Sequence, residues 1–404
     1  MRILVALSYY APHCSGLTNY ARRLAEGLAE RGHEVTVVTT RHNPALPCRE
    51  EVSGVQVVRV PVIGRLSRAT LAPGFIPAAL VLARRHDVVN LHLPLAEAGV
   101  LTPLLRRVAR REVVVTYHCD VRLPGVRGQR LLERSMAWAS MLAAVEARWL
   151  LATSRDYAEH SPVLRRLLTK VQVAYPLFDV PEQPSQEAQE RLRAALSLGR
   201  GPLIGFLGRV AAEKGLDVLL RAAPAILRAL PDATIAIAGE HTTLPGGSIM
   251  DRLLPLARAA GERVRFTGFL PDDQKAAFLA ACDVLVLPST NPTEAFGIVQ
   301  LEAMLAGTPV VASALPGVRE PVRVTGAGLL ARPGDPQSLA EAVCQVVIHR
   351  PAYAPDPAAI LAYFGPEVTL DTYERCLADA AALPLPTKRT AERARDQVTV
   401  ETHP

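Results

Sequence analysis

The chain has 404 residues, 49% of them hydrophobic and 21% charged, with six cysteines and a formal net charge of +6. At roughly 100–200 residues per domain this predicts two or three domains, each able to bury a core, and it excludes a disordered chain, a collagen-like repeat and a disulfide-dense miniprotein. The charge is uneven: residues 1–180 carry 24 Lys and Arg against 14 Asp and Glu, a net +10, while the remainder nets −4.

Met1 leads directly into Arg2–Leu7, a run that reads as a buried strand rather than a secretion signal. A helix is predicted from about Thr18 to Arg31, stopped by Gly32, which suits a left-handed C-cap. Strands follow at Glu34–Thr39, Val55–Val60, Val88–Leu91, Val113–Tyr117 and Trp149–Thr153. This alternation predicts a parallel sheet covered by helices on both faces. Tyr175–Gln189, with Pro176, Pro181 and Pro184, reads as a linker. The rhythm then restarts with strands at Leu203–Leu207, Thr234–Ala238, Arg263–Thr267, Val284–Leu287 and Val310–Ala312, and helices at Leu216–Leu230 and Gly297–Ala306. The fold class is therefore α/β, with two doubly wound domains, 1–180 and 190–365. Residues 366–382 are expected as a terminal helix packing back on the first domain, and 383–404 as a fraying polar tail.

Ligands of open α/β sheets bind beyond the carboxyl ends of the strands. In the first half, Cys14-Ser15-Gly16 links a strand to its helix, where the amides of Gly16, Leu17 and Thr18 can face a phosphate. His92 and His118 end two strands, so each puts an imidazole at the sheet edge. A metal held by His13, His92 and His118 finds no support in ligand spacing. In the second half, Arg209 and Lys214 lie in one strand-to-helix loop and suit a diphosphate, Arg as a fork and Lys as a point charge. Glu294 precedes a helix, Glu302 falls about a turn and a half into it, and the amides of Phe296, Gly297 and Ile298 offer an anion site at its start. Two carboxylates there suit vicinal hydroxyls of a sugar and a ribose. Gly239-Glu240-His241 and Phe269-Leu270 mark a region able to clamp a nucleotide base. The cysteines lack C-x-x-C spacing and read as reduced, mostly buried thiols of a cytoplasmic protein.

The basic first half suits an anionic membrane or a phosphorylated substrate; with no basic stripe interleaved with aromatics, nucleic acid is not expected. No apolar run approaches the ~20 residues of a membrane span. Peripheral contact with a membrane's inner face is suggested by Arg65–Arg85 and by Arg106, Arg107, Arg110 and Arg111 beside Leu101, Leu104, Leu105 and Val108.

From Met1 to about Asp379 the chain resembles the retaining GT-B glycosyltransferases of family 4, the glycosyl transferases group 1. The resemblance rests on Gly208-Arg209 with Glu213-Lys214-Gly215. It rests also on Glu294-Ala295-Phe296-Gly297-Ile298-Val299-Gln300-Leu301-Glu302, and on Gly307-Thr308-Pro309-Val310-Val311-Ala312-Ser313. Phe266-Thr267-Gly268-Phe269-Leu270 and Pro333-Gly334-Asp335 add to it. The family's paired glycine reads Cys14-Ser15-Gly16 here, and its Gly-Gly after Ala-Ser reads Leu315-Pro316-Gly317. The resemblance implies two Rossmann-like domains facing each other across a cleft and hexosyl transfer from a nucleotide-diphosphate sugar to a lipid, glycan or small-molecule acceptor, without metal or other cofactor. It implies that Arg209, Lys214 and Gly16 attend the diphosphate, Glu294 the sugar, Glu302 the ribose, and His118 the sugar and acceptor. A front-side transfer is implied, since no carboxylate nucleophile is offered. The alternatives on this fold are a non-catalytic nucleotide-sugar-binding protein and a sugar-nucleotide 2-epimerase.

Overall fold

The computed structural model describes residues 1–13, 15–66, 69–122, 128–180, 183–240 and 249–382. They fall into two units, one of Met1–Leu177 with the chain from Pro366 onward, the other of Phe178–Gly365. The expected tail 383–404, Cys14 and His241 lie outside the described residues.

The strands of the first unit are β1 (Arg2–Ala6), β2 (Glu34–Arg41), β3 (Arg49–Val52), β4 (Val55–Pro61), β5 (Gly64–Leu66), β6 (Ala69–Leu71), β7 (Val88–Leu93), β8 (Val113–Tyr117), β9 (Trp149–Ala152) and β10 (Val171–Val173). Among the described residues one sheet has the order β10-β9-β8-β7-β1-β2-β4-β3, parallel except for β3. Every residue of β7 and β8 is buried, as expected for central parallel strands covered on both faces. The chain winds outward from β1 through β2 and β4, then returns to β7 and winds the other way. The crevice between β1 and β7 is thus the switch point of this sheet.

The second unit holds β11 (Leu203–Leu207), β12 (Thr234–Ala238), β13 (Val264–Gly268), β14 (Val284–Leu287), β15 (Val310–Ser313) and β16 (Gly328–Ala331). Their order is β13-β12-β11-β14-β15-β16, all parallel, with the switch point between β11 and β14. The helix Leu216–Ala229 contributes Leu216, Leu219, Leu220, Ala223 and Ile226 to the core, the 3–4 residue spacing of one helical face.

Several sequence expectations are corrected. Gln186–Gln189, read as linker, are the first turn of the helix Gln186–Ala195, whose N-cap Ser185 accepts from the Ala188 amide. The helix expected over Gly297–Ala306 is Val299–Leu305, because Gly297 has φ +81° and cannot continue a right-handed turn. Of the five described cysteines only Cys282 and Cys376 are buried. Leu101 and Leu105 are fully buried and Leu104 half-buried, so most of the stripe beside the arginines faces the core, and only Val108 of the four is exposed. Arg106 and Arg107 pair with Glu146, and Arg106 also with Glu112.

The helix Pro366–Ala381 completes the first unit, adding Leu370, Tyr373, Cys376, Leu377 and Ala380 to its core. Polar contacts fix its register. The Arg31 guanidinium meets Glu367, Asp371 and Glu374, and His33 Nε2 lies 2.8 Å from Glu374 Oε1. The amino terminus donates to His33 Nδ1, so the ring donates from Nε2. Burial raises the Glu374 pKa, but the His33 hydrogen bond and the Arg31 charge outweigh it and hold the carboxyl below its ordinary value. The depressed value means that the stabilisation is present above the ordinary Glu range, about pH 4.3, and is lost as pH falls through the lowered value. A melting-temperature titration of the full chain should show Glu374→Gln destabilised at neutral pH and converging on wild type below about pH 4; a constant offset would refute the linkage.

Candidate active site

Each sheet carries a cluster at its carboxyl edge. In the second unit the cluster is assembled by backbone contact. The loop after β11 ends in Gly215, φ +65°, where a Cβ would sit 2.0 Å from the Pro288 carbonyl oxygen. The Thr290 amide donates to the Glu213 carbonyl at 3.1 Å. The loops after β11 and β14 therefore touch across the switch point, and Lys214 Nζ forms an ion pair with the Glu294 carboxylate. Both side chains are mostly buried, at 17% and 13% exposure. Arg209 is half exposed and pairs with Glu213 at 3.1 Å.

The loops after β11 and β12 approach just as closely. Gly239, φ +154°, would place a Cβ 1.8 Å from the Gly208 oxygen. The Val210 amide donates to the Glu240 carbonyl, which brings Glu240 beside the Arg209 loop. Phe269 is 66% exposed and Leu270 is 3% exposed, so Phe269 is the accessible ring of that pair. Phe296 is buried, edge-on to Phe364, and offers a ligand only its backbone. Gly297 and Ile298 precede the helix, and Glu302 lies in its first turn, not a turn and a half in. The missed residue here is Gln300. It is fully buried, and its Nε2 donates to the Phe296 and Val318 carbonyls at 2.7 and 3.0 Å, bracing the Gly297 turn.

In the first unit, Gly16 opens the helix Gly16–Glu30. Ser15 and Thr18 form a capping box, so the Thr18 amide is taken by Ser15 Oγ at 3.2 Å. The Gly16 and Leu17 amides remain from the expected set of three. Gly16 is not among the glycines with positive φ, and a Cβ on it would meet nothing within 4 Å. A bare backbone is therefore not required by its conformation or its packing.

His118 follows β8 and is 9% exposed. Its Nε2 lies 2.9 Å from His92 Nδ1, and the Tyr20 ring meets it edge-on at 4.9 Å. Burial pushes the His118 imidazole down to about 3, and burial and the neighbouring His118 hold His92 well below its ordinary value. His13 packs instead against Tyr9 and His42. Two residues further, Asp120 collects three hydroxyls: Tyr117 and Ser161 donate to Oδ1 at 2.7 and 3.0 Å, and Tyr157 to Oδ2 at 2.9 Å. This cradle fixes the loop that begins with His118.

The family described as Glycosyl transferases group 1 matches residues 201–349, and the Glycosyl transferase 4-like domain matches residues 15–176. The chain is 33% identical to the 2-deoxystreptamine N-acetyl-D-glucosaminyltransferase of Streptomyces fradiae, over 88% of each protein. It is 29% identical to the phosphatidyl-myo-inositol mannosyltransferase of Mycobacterium leprae, over 85% of this chain and 86% of that one. The crystal structure of Anabaena HepE in complex with UDP-glucose superposes with a TM-score of 0.71 and 22% identity, covering 95% of this chain and 99% of that one. The chain belongs to the glycosyl transferases group 1. It is a glycosyltransferase of GT-B fold.

In this glycosyltransferase Gly215 couples backbone shape to charge placement. Gly215→Ala combines a left-handed backbone with a clash against a carbonyl, so a cost of about 1–3 kcal/mol is expected. Thermal melting should fall, and nucleotide affinity should fall with it. A variant with unchanged melting and unchanged affinity would show that the two loops can part freely.

Proposed function

We propose that the enzyme is a retaining hexosyltransferase that uses a nucleotide-diphosphate sugar without a metal or other cofactor. The observation that carries this reading is the pairing of Lys214 with Glu294 at the β11/β14 switch point, with Arg209 in the same loop as Lys214 and paired with Glu213. Arg209 and Lys214 hold the donor diphosphate, with the amides of Phe296, Gly297 and Ile298 and the Gly16 loop as further anion contacts. Glu294 accepts from sugar hydroxyls and Glu302 from the ribose, while Glu240 and Phe269 border the base. His118 receives a sugar hydroxyl. Transfer is front-side. The bond from the anomeric carbon to the diphosphate oxygen breaks, and the acceptor oxygen bonds to that carbon from the same face. The acceptor's proton passes to the departing diphosphate. Preorganised cations facing the developing anion lower the barrier. The acceptor is a hydroxyl on a lipid, glycan or small molecule. The cyclitol rings named for two relatives, 2-deoxystreptamine and phosphatidyl-myo-inositol, lead the panel to be tried.

The two glutamates should separate in kinetics. A charge-assisted hydrogen bond contributes about 1.5–3 kcal/mol, or about ten- to a hundredfold. Ribose binding is equal in ground and transition states, so Glu302→Gln should raise the donor KM with kcat nearly intact. Glu294→Gln should lower kcat without raising KM, because it also releases Lys214 toward the diphosphate. Steady-state nucleotide release from UDP-glucose, UDP-N-acetylglucosamine and GDP-mannose, with and without cyclitol acceptors, tests both; full kcat in folded Glu294→Gln would overturn the assignment.

A second reading is peripheral membrane contact through the helix Gln129–Glu146. Among the described residues no helix is long and apolar enough to cross a membrane. The helix Gln129–Glu146 exposes Leu131, Trp138, Leu142 and Val145, at intervals of seven, four and three that align them on one face. Arg130 and Arg134 are exposed on the same helix. We propose that this face lies on an anionic membrane surface. The full chain should float with phosphatidylglycerol vesicles and not with phosphatidylcholine ones, and the double change Leu131→Ala and Trp138→Ala should abolish flotation. Equal flotation of wild type on both vesicles, or of the variant, would sink the idea.

A further inference from the structure

The interior of the first sheet carries polar side chains that the roles above leave unused. Asn90 and His92 lie two residues apart on β7, hence on one face, and both are fully buried. Thr116 and His118 continue the same face from β8, with His92 paired in register to Thr116. Asn90 Nδ2 lies 3.1 Å from the Val114 carbonyl oxygen and 3.0 Å from Thr116 Oγ1. Its Oδ1 lies 2.8 Å from His92 Nε2, and His92 Nδ1 lies 2.9 Å from His118 Nε2.

The direction of the bonds linking Asn90, His92 and His118 follows from one carbonyl and from the neutrality of the two rings. The Val114 oxygen only accepts, so the nearby Asn90 atom must be the amide nitrogen. Asn90 Oδ1 therefore faces His92, and His92 Nε2 must carry a hydrogen. His92 is buried with its pKa far below the ordinary value, so it is neutral and its Nδ1 is a lone pair. His118 Nε2 must then be the donor between the two rings. His118 is neutral as well, so its Nδ1 has no hydrogen.

We infer that Asn90 and His92 are positioning residues that lock His118 in its Nε2–H tautomer, leaving Nδ1 as a standing acceptor for a hydroxyl of the sugar. That purpose rests on the placing of His118 against the sugar proposed above; the lock itself does not. With this tautomer His118 Nδ1 has no proton to donate. It accepts the hydroxyl without adding positive charge beside a sugar that becomes cationic in the transition state. Removing either partner releases the tautomer choice, and the ring then presents an N–H where a hydroxyl donor needs an acceptor. In the serine-protease triad a wrong histidine tautomer costs far more, because there the ring itself moves the proton. Here one neutral hydrogen bond is at stake, so a loss of roughly five- to tenfold is expected.

The test is the two-bond nitrogen–proton NMR correlation of the full chain labelled with [15N]histidine, at pH 7, with the His118 signals assigned by their loss in His118→Gln. The expected pattern is a protonated Nε2 and an unprotonated Nδ1. A protonated Nδ1, an averaged pair of tautomers or an imidazolium overturns the inference, whatever any variant does. In folded Asn90→Leu the His118 signals should move to tautomer averaging. Nucleotide release from whichever of UDP-glucose, UDP-N-acetylglucosamine and GDP-mannose the wild type consumes should fall roughly five- to tenfold. Unchanged signals in that variant would remove Asn90 from the lock. If Asn90→Leu does not fold, the wild-type spectrum alone decides. If the tautomer is as expected but His118→Gln transfers at the wild-type rate, the lock stands, and its purpose falls together with the placing of His118 against the sugar.

Discussion

The contact between the loops after β11 and β14 is the constraint on which the candidate donor site depends. A carbonyl of one loop occupies the space that a side chain at Gly215 would need, and that approach brings Lys214 against Glu294. Opposite charges that are mostly withdrawn from water repay their desolvation only when well paired. The pair therefore holds both side chains at the crevice mouth before any ligand arrives. Under the proposed function, a diphosphate entering there offers Lys214 a second anion and frees Glu294 to accept from hydroxyls. In the proposed transfer, one ion pair thus presets the cation for the leaving group and the carboxylate for the sugar.

The first unit solves a different problem, the placement of an uncharged ring. Its polar chain does not stop at Asn90. Thr116 Oγ1 lies 2.8 Å from the Tyr373 hydroxyl, which lies 2.9 Å from that of Tyr20, whose ring in turn packs edge-on against His118. Tyr373 belongs to the helix Pro366–Ala381, so this helix closes a network built on the central strands. Buried networks of this kind stabilise only when nearly every member is satisfied. That accounts for a helix held simultaneously by the Arg31 carboxylate cluster and by a stripe of apolar residues.

Much of this was legible in the sequence because its elements are strongly periodic. The apolar runs of β1, β8, β11, β12 and β14 stand out within a residue or two of their observed limits, as does the helix Leu216–Ala229. The loops carrying Arg209, Lys214 and Glu294 followed from strand-end position. What failed to show depends on pairings distant in sequence. The hairpin of β3 with β4 turns through Ser53 and Gly54, both with positive φ, but Arg49–Val52 is mostly exposed and has no apolar signature. The prolines of Tyr175–Gln189 give it the look of a linker and mask the Ser185 cap. Asn90 carries a signal of its own, a polar residue within Val88–Leu93 two places before a histidine: in a strand buried on both faces each polar side chain must find a partner. Which partner it finds is a matter of register between β7 and β8, and that is not written in either strand alone.

The electrostatics of the two clusters suit different parts of one reaction. In the proposed transfer, negative charge develops on the departing diphosphate while positive charge develops on the sugar ring. Arg209 and Lys214, each paired with a carboxylate, meet the first without any proton movement. The ring must be held by groups that do not repel a cation. Glu294 satisfies this as a carboxylate. His118 satisfies it because burial keeps the imidazole neutral; a histidine left at its ordinary pKa of about 6.5 would be partly cationic near neutral pH. Burial that would be a mere packing feature for an apolar residue thereby becomes a chemical property for this one. The mostly apolar strands β7 and β8 supply both the low-dielectric surroundings that keep the ring neutral and the carbonyl that orients its protons.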